Sequence, residues 1–405
     1  MTDENPGTET AERTGTEAAE HPGTEAAEHP MIRLDRLVKR YPGQEQAAVE
    51  ELTLDIPAGR IVAFVGPSGC GKTTTMKLIN RLIEPTSGRI HLDGQDVTEL
   101  PVHELRRRIG YAIQSSGLFP HRTVADNIAT VPRLLGWSRQ RVTERVDELL
   151  TMVGLDPATY RDRYPKQLSG GQQQRVGVAR ALGGDPQVML MDEPFGAIDP
   201  QNREALQDEF LRIQRTVRKT IVFVTHDIDE ACKMGDLIAV FGENGKVRQY
   251  DTPERILAEP ADEFVAAFIG SGAAVRRLSL TRLGTLDVPE WPTVDADADA
   301  ERRLAVARAQ DREYCLLLDA DRRPAGWLPT AEADTEPPSH FPVFSTLGPH
   351  STLFDALDLM LSADTSTVVV VDGEGRYRGV LEMDTVRELI NSEQTRTTHA
   401  RLQEA

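Results

Sequence analysis

A glycine-rich stretch early in the chain has the residue types of a phosphate-binding loop. It fits the pattern G-x-x-x-x-G-K-[ST] and consists of Gly66, Pro67, Ser68, Gly69, Cys70, Gly71, Lys72, Thr73 and Thr74. In such a loop, backbone N–H groups converge on phosphate oxygens, and the following helix turns its positive end toward them. Lys72 would add a point charge at the β- and γ-phosphates, and Thr73 would offer its hydroxyl to Mg²⁺. The stretch therefore predicts a nucleotide site, since only about 0.01 chance matches are expected per chain of this composition.

An acidic pair farther along the chain could supply the rest of a hydrolytic site. Asp192 and Glu193 directly follow the apolar stretch Val188–Met191. We expect Asp192 to hold Mg²⁺ and Glu193 to polarise an attacking water. An isolated Asp-Glu pair after a strand is more often part of a solvated loop, but a phosphate-binding loop requires such a partner. Together the two segments indicate hydrolysis of a nucleoside triphosphate.

Three short apolar stretches have the pattern of buried parallel strands. They are Arg60–Val65, which leads into the glycine-rich loop, Val188–Met191 and Thr220–Thr225. Continuous apolar strands separated by helical stretches indicate a parallel sheet that is covered on both faces. The sequence thus predicts an α/β fold in which the loop and the acidic pair both follow strands.

The segment Leu168–Gln172 reads Leu-Ser-Gly-Gly-Gln and opens a helical stretch. Ser169 and the glycines would there point a hydroxyl and N–H groups at one anion. This motif resembles the signature of the ATP-binding cassette family, the nucleotide-binding subunits of ABC transporters. The resemblance extends from residue 31 to about residue 268, with the motifs in the family's order. It implies a P-loop NTPase cassette with a mixed sheet and a helical signature subdomain.

The resemblance implies a role for each motif residue in a shared ATP site. Tyr41 would stack on adenine, Gln114 would lie in the Q-loop as a further Mg²⁺ ligand, and His226 would contact the γ-phosphate and hold the attacking water. Asp199 falls in the D-loop, where Ile198 replaces the usual Leu. The signature residues would cap the ATP held by a second subunit; they are Ser169, Gly170, Gly171 and Gln172. ATP and Mg²⁺ are the implied ligands, and a head-to-tail homodimer is the implied assembly.

Three classes of cassette protein compete: the energising subunit of a membrane importer, a soluble ATPase of translation or DNA repair, and a binding protein without turnover. Translation-type proteins resemble tandem cassettes, and repair-type proteins insert a coiled coil. Here Lys72 and Ser169 are 97 residues apart without a heptad tract. Lys72, Glu193 and His226 are all present, which argues against a loss of turnover. The favoured importer class implies separate transmembrane permease subunits, a substrate-binding protein and a place on the cytoplasmic face of the membrane.

Three further segments resemble the importers of quaternary ammonium osmoprotectants. They are Met76–Pro85, Gly117–His121 and Arg163–Leu168. Those importers take up glycine betaine, carnitine, choline or proline betaine. The alternative is an importer of another small solute, such as an amino acid or a polyamine.

The last third of the chain contains an internal repeat. Tyr314–Leu328 aligns without gaps onto Thr367–Leu381, which begins 53 residues later, and each copy is typical of strand, turn and strand. The repeat resembles a pair of CBS motifs with a degenerate first copy, which the osmoprotectant cassettes often carry at their C-terminus. Both copies lack the Ser/Thr and the Asp with which nucleotide-binding CBS pairs hold their ligand. We therefore expect a regulatory or dimerising role without bound nucleotide.

Composition suggests how the chain is divided. Residues 1–30 are acidic and repetitive, so we expect a disordered tail, and Met31 is a candidate start. We predict the cassette over residues 31–268 and a flexible Gly/Ser/Ala linker over 269–277. A degenerate α+β CBS pair is expected over 278–392, followed by a tail over 393–405.

Charge and hydropathy exclude several function classes. The chain has 405 residues and a formal net charge of -18, which argues against nucleic acid as a partner because affinity for a phosphate backbone comes from Lys and Arg. No apolar stretch approaches the ~18 residues that crossing a bilayer requires. The cysteines Cys70, Cys232 and Cys315 are widely separated, as expected of a protein from the reducing cytosol.

A protein that begins at Met31 should fold and bind ATP like the full chain, because residues 1–30 offer no large apolar side chain after Met1 to bury. The melting temperature and the ATP affinity of both forms check this expectation. A large fall in the melting temperature of the shortened protein would contradict it.

Overall fold

The computed structural model describes residues 30–112, 117–196, 200–309, 312–335, 340–343 and 345–389. Within them, the first two thirds of the chain form one α/β unit. Its strands, in chain order, are β1 (Ile32–Lys39), β2 (Val49–Ile56), β3 (Ile61–Val65), β4 (Ser87–Leu92), β5 (Gln95–Asp96), β6 (Ile109–Ala112), β7 (Val188–Asp192), β8 (Thr220–Val224), β9 (Leu237–Phe241) and β10 (Val247–Asp251).

Helices connect these strands. In chain order they are α1 (Lys72–Ile79), α2 (Val102–Arg108), α3 (Val124–Ile128), α4 (Thr130–Leu134), α5 (Arg139–Met152), α6 (Pro157–Tyr160), α7 (Gly170–Leu182), α8 (Pro200–Val217), α9 (Ile228–Met234), α10 (Pro253–Ala258) and α11 (Glu263–Ile269). Short 3-10 turns occupy Pro165–Gln167 and Glu243–Gly245.

The central sheet has six strands in the order β10-β9-β3-β8-β7-β6. All neighbouring pairs are parallel except β10 with β9, which is antiparallel. A second, four-stranded antiparallel sheet has the order β2-β1-β4-β5. The three apolar stretches of the sequence are β3, β7 and β8, and the predicted α/β fold with a mixed sheet is confirmed.

The central sheet is buried on both faces, as the apolar strands predicted. In β3, Ile61, Ala63 and Val65 pack into one hydrophobic cluster, while Val62 and Phe64 pack into another. The first cluster includes side chains of α5, α7 and α8, and the second includes those of α1 and the antiparallel sheet. Helices α5, α7 and α8 therefore cover one face, and the second sheet together with α1 covers the other. No helix among the described residues is long and apolar enough to cross a bilayer.

The C-terminal third begins with α12 (Ala273–Leu280) and then repeats one α/β unit. The first copy holds β11 (Thr293–Asp295), α13 (Ala300–Ala309), β12 (Tyr314–Leu318) and β13 (Pro324–Pro329), and the second holds β14 (Thr346–Leu347), α14 (Leu353–Ser362), β15 (Thr367–Val371) and β16 (Tyr377–Glu382). Further 3-10 turns occupy Leu283–Thr285 and Thr330–Glu332, and residues 383–389 are helical. The bounds of α14, β15 and β16 equal those of α13, β12 and β13 plus 53 residues.

The duplication holds at the level of hydrogen bonds. In the first hairpin, Oδ1 of Asp319 accepts from the backbone N–H groups of Asp321 and Arg323 at 2.9 and 2.8 Å. Oδ1 of Asp372 accepts from the residues two and four positions later at 2.8 and 2.9 Å. Each three-stranded sheet pairs its first two strands in parallel and its last two antiparallel. The repeated aspartate therefore fixes the same turn twice.

The two copies share a hydrophobic cluster in addition to a core of their own. Leu316 and Leu318 of β12 pack with Val369 and Val371 of β15 and with Val380 of β16. Separate clusters lie within the first copy and within the second. The shared cluster contains equivalent positions from both copies, so it has the pseudo-two-fold arrangement expected of a CBS pair.

The predicted linker over residues 269–277 is not flexible throughout, because helix α12 begins at Ala273. Ala273 and Leu280 pack against the cassette cluster, whereas Leu278 lies in the core of the second repeat copy. The guanidinium of Arg276 forms an ion pair with the carboxylate of Asp229 on α9. These contacts stabilise the helix, although the composition at its start favours a turn.

Leu316→Ala should destabilise the C-terminal unit by about 2–5 kcal/mol, because this fully buried side chain fills the cluster that both copies share. Leu361→Ala is the matched control, since that leucine is 68% exposed in the same unit and surface changes usually stay within about 0.5 kcal/mol. Urea unfolding of both variants checks the difference. Equal midpoints would contradict the packing described above.

Candidate functional site

The parallel pairing of β3, β8 and β7 brings the predicted site residues to one edge of the central sheet. Strand β8 lies between the other two, and Val224 at its end is level with Phe64 of β3 and Asp192 of β7. The backbone N–H of Glu193 donates to the carbonyl of Val224 at 3.0 Å. The glycine-rich loop, the acidic pair and the turn that carries His226 all follow these strand ends.

The glycine-rich loop is wound around the ammonium group of Lys72, which is 7% exposed. Its Nζ donates to the carbonyls of Gly66 and Pro67 at 2.7 and 2.8 Å and lies 3.5 Å from Sγ of Cys70. Gly66 has a φ of +145° and passes so close to the next strand that a Cβ would lie 2.3 Å from the carbonyl oxygen of Phe241. The loop therefore needs glycine here, and it holds the lysine at the start of α1.

Hard oxygen ligands meet where α1 approaches β7. Oγ1 of Thr73 donates to Oδ1 of Asp192 at 3.1 Å. Burial raises the pKa of Asp192, as does the neighbouring charge of Glu193, while the hydrogen bond from Thr73 opposes them. Hydroxyl and carboxylate oxygens are the donors that Mg²⁺ prefers, usually one or two with water and phosphate oxygens completing the shell.

These donors fit Mg²⁺ held together with a nucleotide rather than a cation held by protein alone. The described residues contain no group of three or more His, Cys, Asp or Glu side chains able to hold a metal. Water and phosphate oxygens would therefore have to supply most of the coordination. Gln114, the further ligand expected from the sequence, lies outside the described residues, as does Asp199 of the D-loop.

Glu193 and His226 form a pair at this edge. Nδ1 of His226 lies 3.3 Å from Oε1 of Glu193, and the two side chains are 63% and 30% exposed. Glu193 has a φ of +45°, a left-handed conformation that costs a non-glycine residue about 1–3 kcal/mol. The hydrogen bond of its N–H to Val224 holds this conformation. In this conformation the carboxylate lies next to the imidazole of His226.

The signature motif forms the N-terminus of α7. Ser169 is the N-cap residue, and its Oγ accepts from the N–H of Gln172 at 3.3 Å, while Oε1 of Gln172 accepts from the N–H of Ser169 at 3.0 Å. Nε2 of Gln172 also donates to the hydroxyl of Tyr160 at 3.2 Å. Among the residues that the structure describes, a Cβ on Gly170 or Gly171 would meet nothing within 4 Å. Packing within this part of the chain therefore does not explain either glycine, and the two glycines border open space.

A buried glutamine in the signature helix connects that helix to the acidic pair. Gln174 is 6% exposed, and its Nε2 donates to the carbonyl of Pro194 at 2.5 Å, next to Glu193. The sequence does not predict that Gln174 is buried, because a run of three glutamines gives no sign of which one turns inward. The contact ties the two motifs together.

Tyr41 lies in the connection between β1 and β2. Its ring is half-buried, and Nζ of Lys39 lies 5.2 Å from the ring centroid. The same connection ends at Ala48, whose carbonyl oxygen would be 2.5 Å from a Cβ on Gly71. The segment that carries Tyr41 thus ends against the phosphate loop. The contact of this ring with adenine stays a prediction.

Family models match part of the α/β unit and part of the C-terminal third. The family model described as "ABC transporter" matches residues 49–196, and the model described as "CBS domain" matches residues 338–392. The chain is 42% identical over 375 residues to the osmoprotectant import ATP-binding protein OsmV of Salmonella typhimurium, covering 90% of this chain and 98% of that protein. It is 48% identical over 299 residues to the glycine betaine/carnitine/choline transport ATP-binding protein OpuCA of Bacillus subtilis, covering 74% of this chain and 78% of that protein.

A solved structure shares the cassette fold. The chain is similar to cbiO1 from Clostridium perfringens, part of the ABC transporter complex cbiONQ, with a TM-score of 0.54 and 25% identity over 62% of this chain and 95% of that one. Fold and site together define an ATP-binding cassette of the P-loop class. The chain belongs to the ATP-binding protein family of ABC transporters, and the two relatives above are named as ATP-binding proteins of osmoprotectant import and of glycine betaine/carnitine/choline transport.

Gly170→Ala should leave the thermal stability unchanged or raise it by up to about 1 kcal/mol, because the added methyl group meets open space at the start of a helix. Gly66→Ala should lower the stability, because its Cβ would clash with the carbonyl oxygen of Phe241 and its φ is strained for alanine. Thermal unfolding of the two variants checks this contrast. A destabilised Gly170→Ala protein would mean that packing within the chain requires that glycine.

Proposed function

We propose that this chain hydrolyses ATP and thereby energises an ABC importer of quaternary ammonium osmoprotectants, such as glycine betaine, carnitine or choline. The observation that carries the ATPase part is the Glu193–His226 pair beside an intact phosphate loop. The solute part rests on the osmoprotectant relatives, whose similarity extends over most of the chain. An importer of another small solute is the alternative.

The phosphate loop and α1 would bind the triphosphate. Lys72 already sits inside the loop, where two carbonyls hold its ammonium group, and it can turn toward β- and γ-phosphate oxygens without leaving the site. Mg²⁺ bound by Thr73 and Asp192 would neutralise charge on the phosphates. The raised pKa of Asp192 reflects a buried carboxylate whose charge a cation would stabilise.

Glu193 and His226 would act on the attacking water. The carboxylate of Glu193 accepts a proton from water as the oxygen forms its bond to the γ-phosphorus, and the bond to the β-phosphate oxygen breaks to leave ADP and phosphate. His226, in contact with that carboxylate, would hold the water and the γ-phosphate in line. The strained backbone of Glu193 is the kind of feature found at such sites.

The open signature motif supports a head-to-tail homodimer. Ser169 and the two glycines form an anion-binding helix N-terminus, and the space beside Gly170 and Gly171 is free. The phosphate loop of the same chain, which holds Lys72, lies at the sheet edge and not beside this helix N-terminus. We propose that the signature of one subunit completes the site of the other, with permease subunits and a substrate-binding protein as the remaining partners at the cytoplasmic face of the membrane.

The CBS pair would act on the cassette as a regulatory module or as a dimerisation clamp. Helix α12 provides the physical connection, because it packs on the cassette with one face and on the second repeat copy with the other. Residues 271–405 carry 14 basic and 23 acidic side chains. A module of this charge would respond to ionic strength, since the screening length falls from about 10 Å at 0.1 M salt to about 3 Å at 1 M.

Glu193→Gln should slow ATP hydrolysis by at least ~100-fold, because the amide cannot accept the proton of the water. ATP binding should persist, since the phosphate loop is unchanged. Glu259→Gln, a change at an exposed glutamate after α10, is the control and should keep normal turnover. Phosphate release and nucleotide affinity are measured for both proteins, and normal hydrolysis by Glu193→Gln would overturn the role of this residue.

ATP-driven uptake in liposomes with the cognate permease tests the solute. We expect glycine betaine, carnitine or choline to be accumulated and to compete with one another. Uptake of an amino acid or a polyamine, with no competition by these compounds, would favour the alternative.

A further inference from the structure

Helix α9, which follows His226, contains a buried carboxylate that the hydrolytic mechanism does not use. Glu230 is 8% exposed, and its Oε1 accepts from Nε2 of Gln207 on α8 at 3.2 Å. Gln207 is itself 6% exposed. A buried charge costs several kcal/mol unless hydrogen bonds compensate it. Packing alone therefore does not explain why a carboxylate lies buried between these two helices.

The residue immediately before His226 is anchored to the sheet. Thr225 is 2% exposed, and its N–H donates to the carbonyl of Phe64 on β3 at 3.1 Å. Its Oγ1 accepts from the N–H of Asp227 at 3.1 Å. The hydroxyl of Thr225 thus joins the end of β8 to the backbone on the far side of His226.

Asp227 anchors the same turn from the helix side. Its Oδ1 accepts from the N–H groups of Asp229 and Glu230 at 2.8 and 3.4 Å and so caps α9. His226 lies between two anchored residues, while its own ring is 63% exposed. The location of the imidazole relative to Glu193 is consequently set by the backbone of residues 225–227 rather than by packing around the ring.

We propose that Glu230 and Gln207 are positioning residues for His226: their hydrogen bond holds the first turn of α9 against α8, and the cap formed by Asp227 connects that turn to His226. The inference rests on the proposed ATPase function, in which His226 acts on the γ-phosphate and the water. Neither residue touches the nucleotide, so each affects turnover only through His226. A displacement of about 1 Å at such a group can cost ~100-fold in rate.

An ion pair between the same two helices offers a matched control. Nζ of Lys233 on α9 lies 2.8 Å from Oδ1 of Asp208 on α8, and Asp208 is 63% exposed. Asp208 follows Gln207 directly, but its partner Lys233 lies in the last turn of α9, at the end of the helix away from His226. Asp208→Ala therefore weakens the contact between α8 and α9 without disturbing the buried hydrogen bonds.

Steady-state ATPase assays on the full chain separate the two effects. We expect Glu230→Ala to lower kcat at least ~10-fold, with the KM for ATP changed less than about twofold, because binding at the phosphate loop is untouched. Glu230→Gln keeps an oxygen acceptor for Gln207 and should restore most of kcat. Asp208→Ala should stay within about twofold of the unaltered protein, as surface ion pairs contribute little.

Gln207→Ala is a second test in case Glu230→Ala does not fold. It leaves the carboxylate in place, removes its hydrogen bond to α8 and should lower kcat at least about threefold. NMR of ¹³C-labelled histidine, with the His226 signal assigned from His226→Gln, gives a readout that stability alone would not move. The His226 signal should shift in Gln207→Ala and Glu230→Ala and stay in place in Asp208→Ala.

The outcomes distinguish this inference from the proposed function. An unchanged kcat and an unmoved His226 signal in Gln207→Ala, or in a folded Glu230→Ala, would overturn the positioning role. If His226→Gln itself hydrolyses ATP normally, the proposed role of His226 is wrong. A normal Glu230→Ala protein beside an inactive His226→Gln protein overturns only the inference.

Discussion

The hydrogen-bond ladder between β3, β8 and β7 is the constraint on which the whole site depends. Parallel strands that are level at their carboxyl ends deliver the segments after them to one edge. Because alternate side chains of each strand fill two different cores, a one-residue slip in register would exchange the two sets and disrupt the packing on both faces. Lys72, Asp192, Glu193 and His226 are therefore neighbours because of the backbone pairing. The side chains themselves make only a few contacts with one another.

The motifs and the strands that precede them could be predicted from sequence, since both depend on local patterns. The phosphate loop follows β3, the acidic pair lies at the end of β7, and the internal repeat indicates the strands and turns of both repeat copies. Residues such as Gln174 and Glu230 could not be found in this way. Whether a polar side chain turns inward depends on partners far away in the chain, here Pro194 for one and Gln207 for the other.

The segment predicted as a linker has a flexible composition but contains the start of a helix. Glycine, serine and alanine favour a flexible chain, and Gly270 and Gly272 do adopt positive φ. Yet α12 starts directly afterwards, since two cores and the Arg276–Asp229 ion pair compensate the entropy of ordering it. The C-terminal unit is thereby attached to α9, the helix that begins two residues after His226. A change in that unit has a short, packed route to the hydrolytic pair.

In the proposed dimer, each chain contributes to two ATP sites. Its sheet edge forms half of one site, and its open signature forms half of the other. In a Glu193→Gln background, which keeps ATP bound, Ser169→Arg protein and Lys72→Ala protein are tested singly and as a mixture for retention of radiolabelled ATP after rapid desalting. Neither protein alone should retain ATP. The mixture should retain about one ATP per mixed dimer, at the site formed by Lys72 of one chain and Ser169 of the other. Retention by the Ser169→Arg protein alone, or none in the mixture, would contradict the proposed dimer.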